Sequence, residues 1–140
     1  MLKILLVDDS KFLRLATERA LARAGYSVTS AADGEQGLAM AREDLHDLIL
    51  LDMLLPKMTG LDVLKALKTD PATAEIPVVA LTGLSLNNAN RLHHDGTFAF
   101  LNKSELQLDK GCEPFLAAVA EIVARLPEKQ RAQRAAGGKR

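Results

Sequence analysis

The chain has 140 residues, of which 48% are hydrophobic and 26% charged, and its 18 acidic side chains balance its 18 Lys and Arg. This length and composition exclude a disordered or fibrous chain and predict one globular domain with its own core. The single cysteine, Cys112, excludes an internal disulfide framework, and no apolar stretch approaches the ~20 residues of a membrane span. We therefore expect a cytoplasmic protein that does not use a membrane as a partner.

Residues 127–140 differ in composition from the rest of the chain. They contain five Lys or Arg and one Glu, and they include a run of two alanines and two glycines. Basic residues without interleaved aromatics are a weak nucleic-acid signature, so we expect no nucleic-acid partner. We predict a globular domain over residues 1–126 and a basic, disordered tail over 127–140, which is functionally quiet or, alternatively, a docking or membrane-surface arm.

Short apolar runs alternate along the chain with amphipathic stretches. In the first half of the chain this pattern predicts a strand over Leu2–Val7, a helix from Lys11 to the stop signal at Gly25, a strand over Tyr26–Ala31, a helix over Gly34–Glu43 and a strand over Leu48–Leu51. A turn over Pro56–Gly60 and a helix from Leu61 to Asp70 follow. The second half continues with a strand over Pro77–Leu81, a helix over Ser85–His94, a strand over Phe98–Leu101 and a helix over Pro114–Leu126. The fourth of these helices contains three asparagines, which are poor helix formers.

The first two helices carry recognisable signals at their ends and on their inner faces. Ser10 and Asp33 stand where N-caps are expected, because their side-chain oxygens can accept from free backbone N–H groups. In the second helix, Leu38 and Ala41 are the expected inward positions. The first helix shows apolar residues at helical spacing, namely Phe12, Leu13, Ala16, Ala20 and Leu21.

Five strands alternating with five helices predict an α/β fold, a doubly wound five-stranded parallel sheet with helices on both faces. In such sheets ligands bind beyond the carboxyl ends of the strands. Polar residues follow four of the strands at that edge: Asp8 and Asp9 the first, Asp52 the third, Thr82 the fourth and Lys103 the fifth. We therefore predict that these side chains share one site.

The residue types at this edge indicate phosphoryl transfer. Three carboxylates repel one another unless a cation is bound, and their hard oxygen atoms suit Mg²⁺. Lys103 adds a positive charge and Thr82 a hydroxyl, and such groups can neutralise the oxygens of a phosphoryl group in transfer. Asp52 then serves as the nucleophile that becomes an acyl phosphate. A partner must supply the phosphoryl group, because the sequence has no glycine-rich phosphate cradle for ATP.

Four segments in order resemble the receiver domain of bacterial response regulators. They are Leu5–Ser10 with its acidic pair, Asp52–Gly60 with its proline and glycine, Ala80–Gly83 with its threonine, and Phe98–Lys103 with its aromatic residues and lysine. The resemblance runs from Leu2 to about Leu126 and implies a flavodoxin-like (βα)5 fold with strand order 2-1-3-4-5. It implies a two-component signalling switch phosphorylated by a histidine kinase or phosphotransfer protein. Such a domain catalyses only its own phosphorylation and dephosphorylation and is not an enzyme acting on an external substrate.

The resemblance also implies roles for individual residues at the acidic edge. Asp9, Asp52 and the backbone carbonyl of Leu54 are the implied Mg²⁺ ligands, and Asp8 is implied to support the metal site from outside the ion's direct ligands or through a bound water. Asp52 is the implied phosphoacceptor, and Lys103 is the lysine that contacts the phosphoryl group.

A switch and an output surface follow from the same resemblance. The Thr82 hydroxyl moves toward the phosphoryl group, and the Phe100 ring turns inward to fill the space left behind. The fourth helix, fifth strand and fifth helix form the implied docking surface for a downstream target protein, or for a second receiver in a phosphorylation-dependent homodimer. Output then occurs through binding in trans.

Two departures from the family pattern bear on function. Ser104 follows Lys103 at a position where the family usually has a proline preceded by a cis peptide bond. A cis peptide bond before a non-proline residue costs about 2.5 to 4 kcal/mol. The alternative is a trans Lys103–Ser104 bond, which would shift the loop that carries the lysine. Leu54 and Leu84 are apolar at the positions that flank the approach of hydrolytic water, from which we hypothesise a slowly hydrolysed phosphoryl-aspartate.

Simpler interpretations remain open for several residues. The acidic pair can act as a strand-end cap, Thr82 as a helix N-cap and Phe100 as an ordinary core aromatic. Cys112 is interpreted as a structural residue, and the three histidines as surface residues rather than phosphoryl carriers: His46, His93 and His94. For the whole chain, the alternative is a pseudo-receiver that binds partners independently of phosphorylation; a small hydrolase has less support, because no residue resembles a general acid.

Overall fold

The computed structural model describes residues 2–53, 55, 58–82, 97–102 and 113–126. In chain order its elements are β1 (Lys3–Val7), α1 (Lys11–Arg23), β2 (Ser27–Ala31), α2 (Gly34–Glu43), β3 (Leu48–Asp52), α3 (Gly60–Thr69), β4 (Val78–Thr82), β5 (Ala99–Asn102) and α4 (Glu113–Ala124). Each begins and ends close to an element predicted from the sequence, and α4 corresponds to the fifth predicted helix. The helix predicted over Ser85–His94 lies outside the described residues.

The five strands form one parallel sheet in the order β2-β1-β3-β4-β5, which confirms the predicted doubly wound, flavodoxin-like architecture. β3 lies at its centre, and all five of its residues are buried, as expected for a parallel strand covered on both faces. The register sets Asp52 opposite Leu81, so that Thr82 lies one residue further along the neighbouring strand. The carboxyl ends of β1, β3 and β4 therefore meet at one edge.

Two apolar layers cover the sheet. On one face, α1 and α4 pack through buried residues such as Leu21 and Phe115. On the other, α2 and α3 contribute side chains that include the predicted inward positions Leu38 and Ala41, together with Leu64. Among the helices of the described ranges, none is both long and apolar enough to cross a membrane.

Local contacts confirm the predicted ends of the first two helices. The Ser10 hydroxyl accepts from the Leu13 N–H at 3.3 Å, and the Asp33 carboxylate accepts from the Gln36 N–H at 2.8 Å. Gly25 adopts a φ of 100°, a left-handed conformation that glycine reaches without the strain a Cβ would add. These caps fix where each helix leaves the edge of the sheet.

The residues that α1 buries are not the same as the apolar residues that follow its helical spacing. Phe12 is 71% exposed, although it shares the helical spacing of the apolar residues, whereas Thr17 is 1% exposed. The Thr17 hydroxyl has no hydrogen-bond partner among the described residues. The apolar spacing predicted the helix, and Phe12 projects away from the buried face because it lies two and a half turns before the buried Leu21.

The prediction that His46 lies on the surface is wrong. Its side chain is buried before β3 and is 3% exposed. Nδ1 lies 3.1 Å from the Asp44 carbonyl oxygen and Nε2 lies 3.0 Å from the Thr29 hydroxyl. Since a carbonyl only accepts, Nδ1 carries the proton, and Nε2 of the neutral ring accepts from Thr29. Burial lowers the pKa of His46 below its ordinary value of 6.5, with a smaller lowering from the Lys3 charge. His93, His94 and Cys112 lie outside the described residues.

Candidate functional site

Three carboxylates meet at the carboxyl edge of the sheet. Asp8 and Asp9 follow β1, and Asp52 ends the neighbouring strand β3. One carboxylate oxygen from each residue lies within 4.8 Å of the others. Asp8 and Asp52 are each 1% exposed, whereas Asp9 is exposed. The structure thus brings together the three acidic residues that were predicted to share one site and leaves one of them open to solvent.

The turn between β1 and α1 holds Asp8 through several hydrogen bonds. Its backbone N–H donates to the Ala31 carbonyl at 3.1 Å, which continues the pairing of β1 with β2 by one residue. Its Oδ1 accepts from the Ser10 N–H at 3.0 Å, and its carbonyl accepts from Nη1 of Arg14 at 2.9 Å. Hydrogen bonds from backbone N–H groups stabilise the charged form of a carboxylate. Asp8 is therefore held at the edge before any cation binds.

Gly60 allows α3 to begin directly beside Asp52. Its N–H donates to the Met53 carbonyl at 3.3 Å. A Cβ at this position would lie 2.5 Å from the Met53 Cα and 2.9 Å from the Asp52 carbonyl oxygen, so only glycine fits without moving the backbone. Thr59 and Asp62 close the helix start with a capping box. The absence of a side chain at Gly60 thus allows α3 to pack against the backbone next to Asp52.

The two predicted switch residues lie on adjacent strands. Thr82 ends β4 and pairs with Asn102 of β5, which places its backbone at the same edge as Asp52. Phe100 is half-buried and packs against the apolar layer formed with α2 and α3. The ring therefore already contacts the core on that face of the sheet.

Four residues with predicted roles at this edge lie outside the described residues. They are Leu54, whose carbonyl is a predicted metal ligand, Leu84, which was predicted to flank the path of water, Lys103, and Ser104. Their predicted roles stay predictions.

The donor set at the edge fits Mg²⁺. The three side chains supply carboxylate oxygens only, which are the ligands that a hard divalent cation prefers. One exposed carboxylate beside two buried ones leaves an open side, and Mg²⁺ commonly retains several waters and binds through one or two carboxylates. The arrangement can therefore hold a cation while leaving coordination positions for an oxygen-rich ligand.

Sequence reasoning missed two residues that shape the site. Arg14 contacts the backbone of Asp8 from six residues away, and Gly60 contacts the backbone of Asp52 and Met53. The glycine was noted only as part of a turn. For Arg14, the available signal was its place in the first turn of a helix that begins at the acidic edge, because a long side chain there can reach back to the strand end.

Comparison with known proteins identifies the family. Residues 4–110 match the model of the response regulator receiver domain. The chain is 43% identical to the gliding motility regulatory protein of Myxococcus xanthus over 110 residues, which cover 77% of this chain and 14% of that protein. It is 40% identical to the probable chemotaxis protein CheY of Rhizobium etli over 82 residues, covering 58% of this chain and 64% of that protein. The chain thus spans less than two thirds of the length of these curated relatives.

Solved structures agree with this match. The chemotaxis response regulator CheY4 of Vibrio cholerae superposes with a TM-score of 0.78 at 31% identity, covering 87% of this chain and 98% of that one. A CheY-like receiver domain protein from Methanospirillum hungatei gives a TM-score of 0.75 at 28% identity, covering 95% and 98%. Sequence match, strand order and acidic edge agree, and the chain belongs to the response-regulator receiver domain family of two-component signalling.

Proposed function

We propose that this receiver domain is a phosphorylation-dependent switch that accepts a phosphoryl group on Asp52 and then binds a partner protein in trans. The observation that carries the proposal is the meeting of three carboxylates within 4.8 Å at the carboxyl edge of the sheet. Such a concentration of like charge is unfavourable in the absence of a cation. Its presence in a domain of this family supports a metal-assisted phosphoryl transfer.

The proposed reaction begins with Asp52 as nucleophile. A carboxylate oxygen attacks the phosphorus of the donor, a new P–O bond forms, and the bond between phosphorus and the donor's leaving group breaks. Mg²⁺ held by Asp9, Asp52 and the Leu54 carbonyl, with Asp8 beside it, would neutralise charge on the phosphoryl oxygens. Lys103 is proposed to contact the same oxygens. The donor is a histidine kinase or phosphotransfer protein.

Asp52 is well placed for this role. It ends a fully buried central strand that pairs on both sides, so its backbone is rigidly positioned. Its side chain is 1% exposed, and Gly60 brings the start of α3 against its carbonyl. A nucleophile fixed in this way needs little reorganisation during transfer.

The proposed readout involves Thr82 and Phe100. The Thr82 backbone lies at the edge beside Asp52, within the same sheet, which supports a hydroxyl that moves toward the phosphoryl group. The half-buried Phe100 ring is proposed to turn further inward when the hydroxyl moves. The surface formed by the predicted fourth helix, β5 and α4 then binds a target protein or a second receiver.

The receiver unit is proposed to end near Leu126. This residue is 1% exposed and belongs to the apolar layer beneath α1 and α4, so the core continues to this point. Residues 127–140 are proposed to form a separate basic tail.

The first test is covalent modification measured by intact mass. Wild-type protein is incubated with a small acyl-phosphate donor in Mg²⁺ and, separately, in EDTA; the control is Asp52→Asn, which keeps the size of the side chain. We expect one added phosphoryl group in Mg²⁺, and none in EDTA or in the variant. Modification that persists in Asp52→Asn would move the acceptor to another residue.

The same experiment addresses the pseudo-receiver alternative. Absence of modification, together with absence of Mg²⁺ affinity in calorimetry, would favour a phosphorylation-independent interaction module. If modification occurs, following its loss after the donor is removed tests the proposed effect of Leu54 and Leu84. Apolar walls give water no orienting partner, so we expect slow hydrolysis, and a phosphoryl lifetime of seconds would contradict this.

A further inference from the structure

The peptide that joins Asp8 to Asp9 is held by a side chain of α1. Nη1 of Arg14 donates to the Asp8 carbonyl oxygen at 2.9 Å in a part-buried position. The Arg14 backbone is itself fixed, because its N–H donates to the Ser10 carbonyl at 2.8 Å in the first turn of the helix. We propose that Arg14 is a positioning residue that orients the acidic pair for cation binding, an inference that rests on the proposed function.

The carbonyl that Arg14 contacts controls the direction of Asp9. The Asp8 carbonyl belongs to the same planar peptide unit as the Asp9 nitrogen and Cα. Fixing that oxygen restricts rotation of the plane and hence the direction in which the Asp9 side chain leaves the backbone. The Asp9 carboxylate is exposed and has no hydrogen-bond or ion-pair partner among the described residues. Its position therefore depends on the backbone that Arg14 holds.

Arg14 can support the site without occupying it. Within the described ranges, its side chain makes no ion pair with a carboxylate, and its hydrogen bond goes to a backbone oxygen. A guanidinium remains charged at all working pH values, so it offsets some repulsion among the carboxylates in the metal-free protein. Because it does not cover their oxygens, a divalent cation can enter while the hydrogen bond to Asp8 remains.

The test compares two arginines of the same helix. Arg14→Met keeps much of the side-chain length but removes the donor and the charge. Arg19→Met removes the same charge from an exposed position of α1 and serves as the matched control. Arg14→Lys keeps the charge and a donor. Mg²⁺ affinity is measured by calorimetry, thermal unfolding is followed in EDTA, and hydrogen exchange of the Ser10 amide, which donates to Asp8 Oδ1, is measured in the metal-free state.

We expect Arg14→Met to weaken Mg²⁺ binding roughly tenfold, the lower end of what the loss of an outer partner of a metal site costs. The Ser10 amide should exchange faster in this variant. Arg19→Met should match the wild type, and Arg14→Lys should recover part of the affinity. Arg14→Met should melt at a modestly lower temperature in EDTA, because it loses one hydrogen bond and a charge that offsets repulsion, but its unfolding should stay cooperative, so that Mg²⁺ affinities are compared between folded proteins.

Several results would overturn the proposal. Equal affinities of Arg14→Met and Arg19→Met would exclude positioning, and tighter Mg²⁺ binding by Arg14→Met would show that its charge repels the cation. Unfolding of Arg14→Met would assign the residue to stability instead. If the wild type itself binds no Mg²⁺, the metal part of the proposed function fails, and unchanged Ser10 exchange in metal-free Arg14→Met would then exclude the positioning role separately.

Discussion

Replacing Asp9 with asparagine removes one of the three charges at the carboxyl edge. The Asp9 carboxylate makes no hydrogen bond or ion pair with another described residue, so the substitution removes repulsion without removing such a contact. The side chain is also exposed, and asparagine has nearly the same size and shape. We therefore expect the metal-free Asp9→Asn protein to be more stable than the wild type.

The separation of the carboxylates sets the magnitude. At 4.8 Å, the upper limit of the oxygen separations, two unit charges repel by about 0.9 kcal/mol in water and about 3.5 kcal/mol at an effective dielectric constant of 20. Because Asp9 is exposed, the water value applies better, and relief of two such pairs gives about 1 to 2 kcal/mol. Salt screens exposed charges, so the gain should be largest at low ionic strength.

The assay is urea unfolding in EDTA and in Mg²⁺, at low and at physiological salt. Mg²⁺ should stabilise the wild type more than the variant, since binding of a cation to the folded state raises its stability and the variant has lost one of the carboxylates proposed to coordinate it. The stability advantage of Asp9→Asn should therefore shrink or reverse in Mg²⁺. Glu121→Gln, an exposed acidic residue of α4, controls for the change in net charge. The reasoning is refuted if Asp9→Asn is less stable than the wild type in EDTA, or no more stable than Glu121→Gln.

Three further predictions concern buried groups. Because burial lowers the pKa of His46, the unfolded chain binds a proton more readily than the folded protein, and the free energy of unfolding should fall as pH drops below about 6.5. In urea unfolding from pH 7.5 to 5, His46→Gln should lose less stability than the wild type, and equal losses in the two proteins would contradict this. Thr17→Val should raise the free energy of unfolding by about 1 kcal/mol, since a methyl group replaces a buried hydroxyl that has no hydrogen-bond partner among the described residues. A lower stability of the variant in denaturant unfolding would indicate that the hydroxyl makes a stabilising contact. Gly60→Ala should lower the free energy of unfolding by about 1 to 3 kcal/mol and weaken Mg²⁺ binding, because the new Cβ would collide with the Met53 backbone. Unchanged Mg²⁺ affinity in calorimetry would show that the resulting backbone shift does not reach the acidic site.

The acidic edge was predictable because two simple patterns coincide there. Apolar runs located the strands, and parallel topology required that their carboxyl ends lie together, so the sequence alone was enough to predict that Asp8 and Asp52 meet. The resemblance to receiver domains added the strand order. Helix caps at Ser10 and Asp33 were also predictable, because they depend on contacts within three residues.

Contacts between distant side chains were not predictable in the same way. Apolar spacing did not reveal that Thr17 occupies an inner position of α1, because a hydroxyl residue does not contribute to an apolar pattern. His46 precedes a strand, and its burial depends on partners from β2 and from the end of α2. The contact of Arg14 with Asp8 depends on where α1 begins and on a side-chain conformation, neither of which a residue pattern specifies.

The topology itself favours negative charge at this edge. Each helix that follows a parallel strand begins near the carboxyl end of that strand, so α1 and α3 start beside Asp8 and Asp52. The start of a helix carries a partial positive charge and free N–H groups, which favour anions. The same feature that helps the fold to tolerate three carboxylates also suits a phosphoryl group attached to one of them. Substitutions that shift a helix start, such as Gly60→Ala, should therefore affect cation binding and phosphorylation together, whereas substitutions on the outer face of α1 should affect neither.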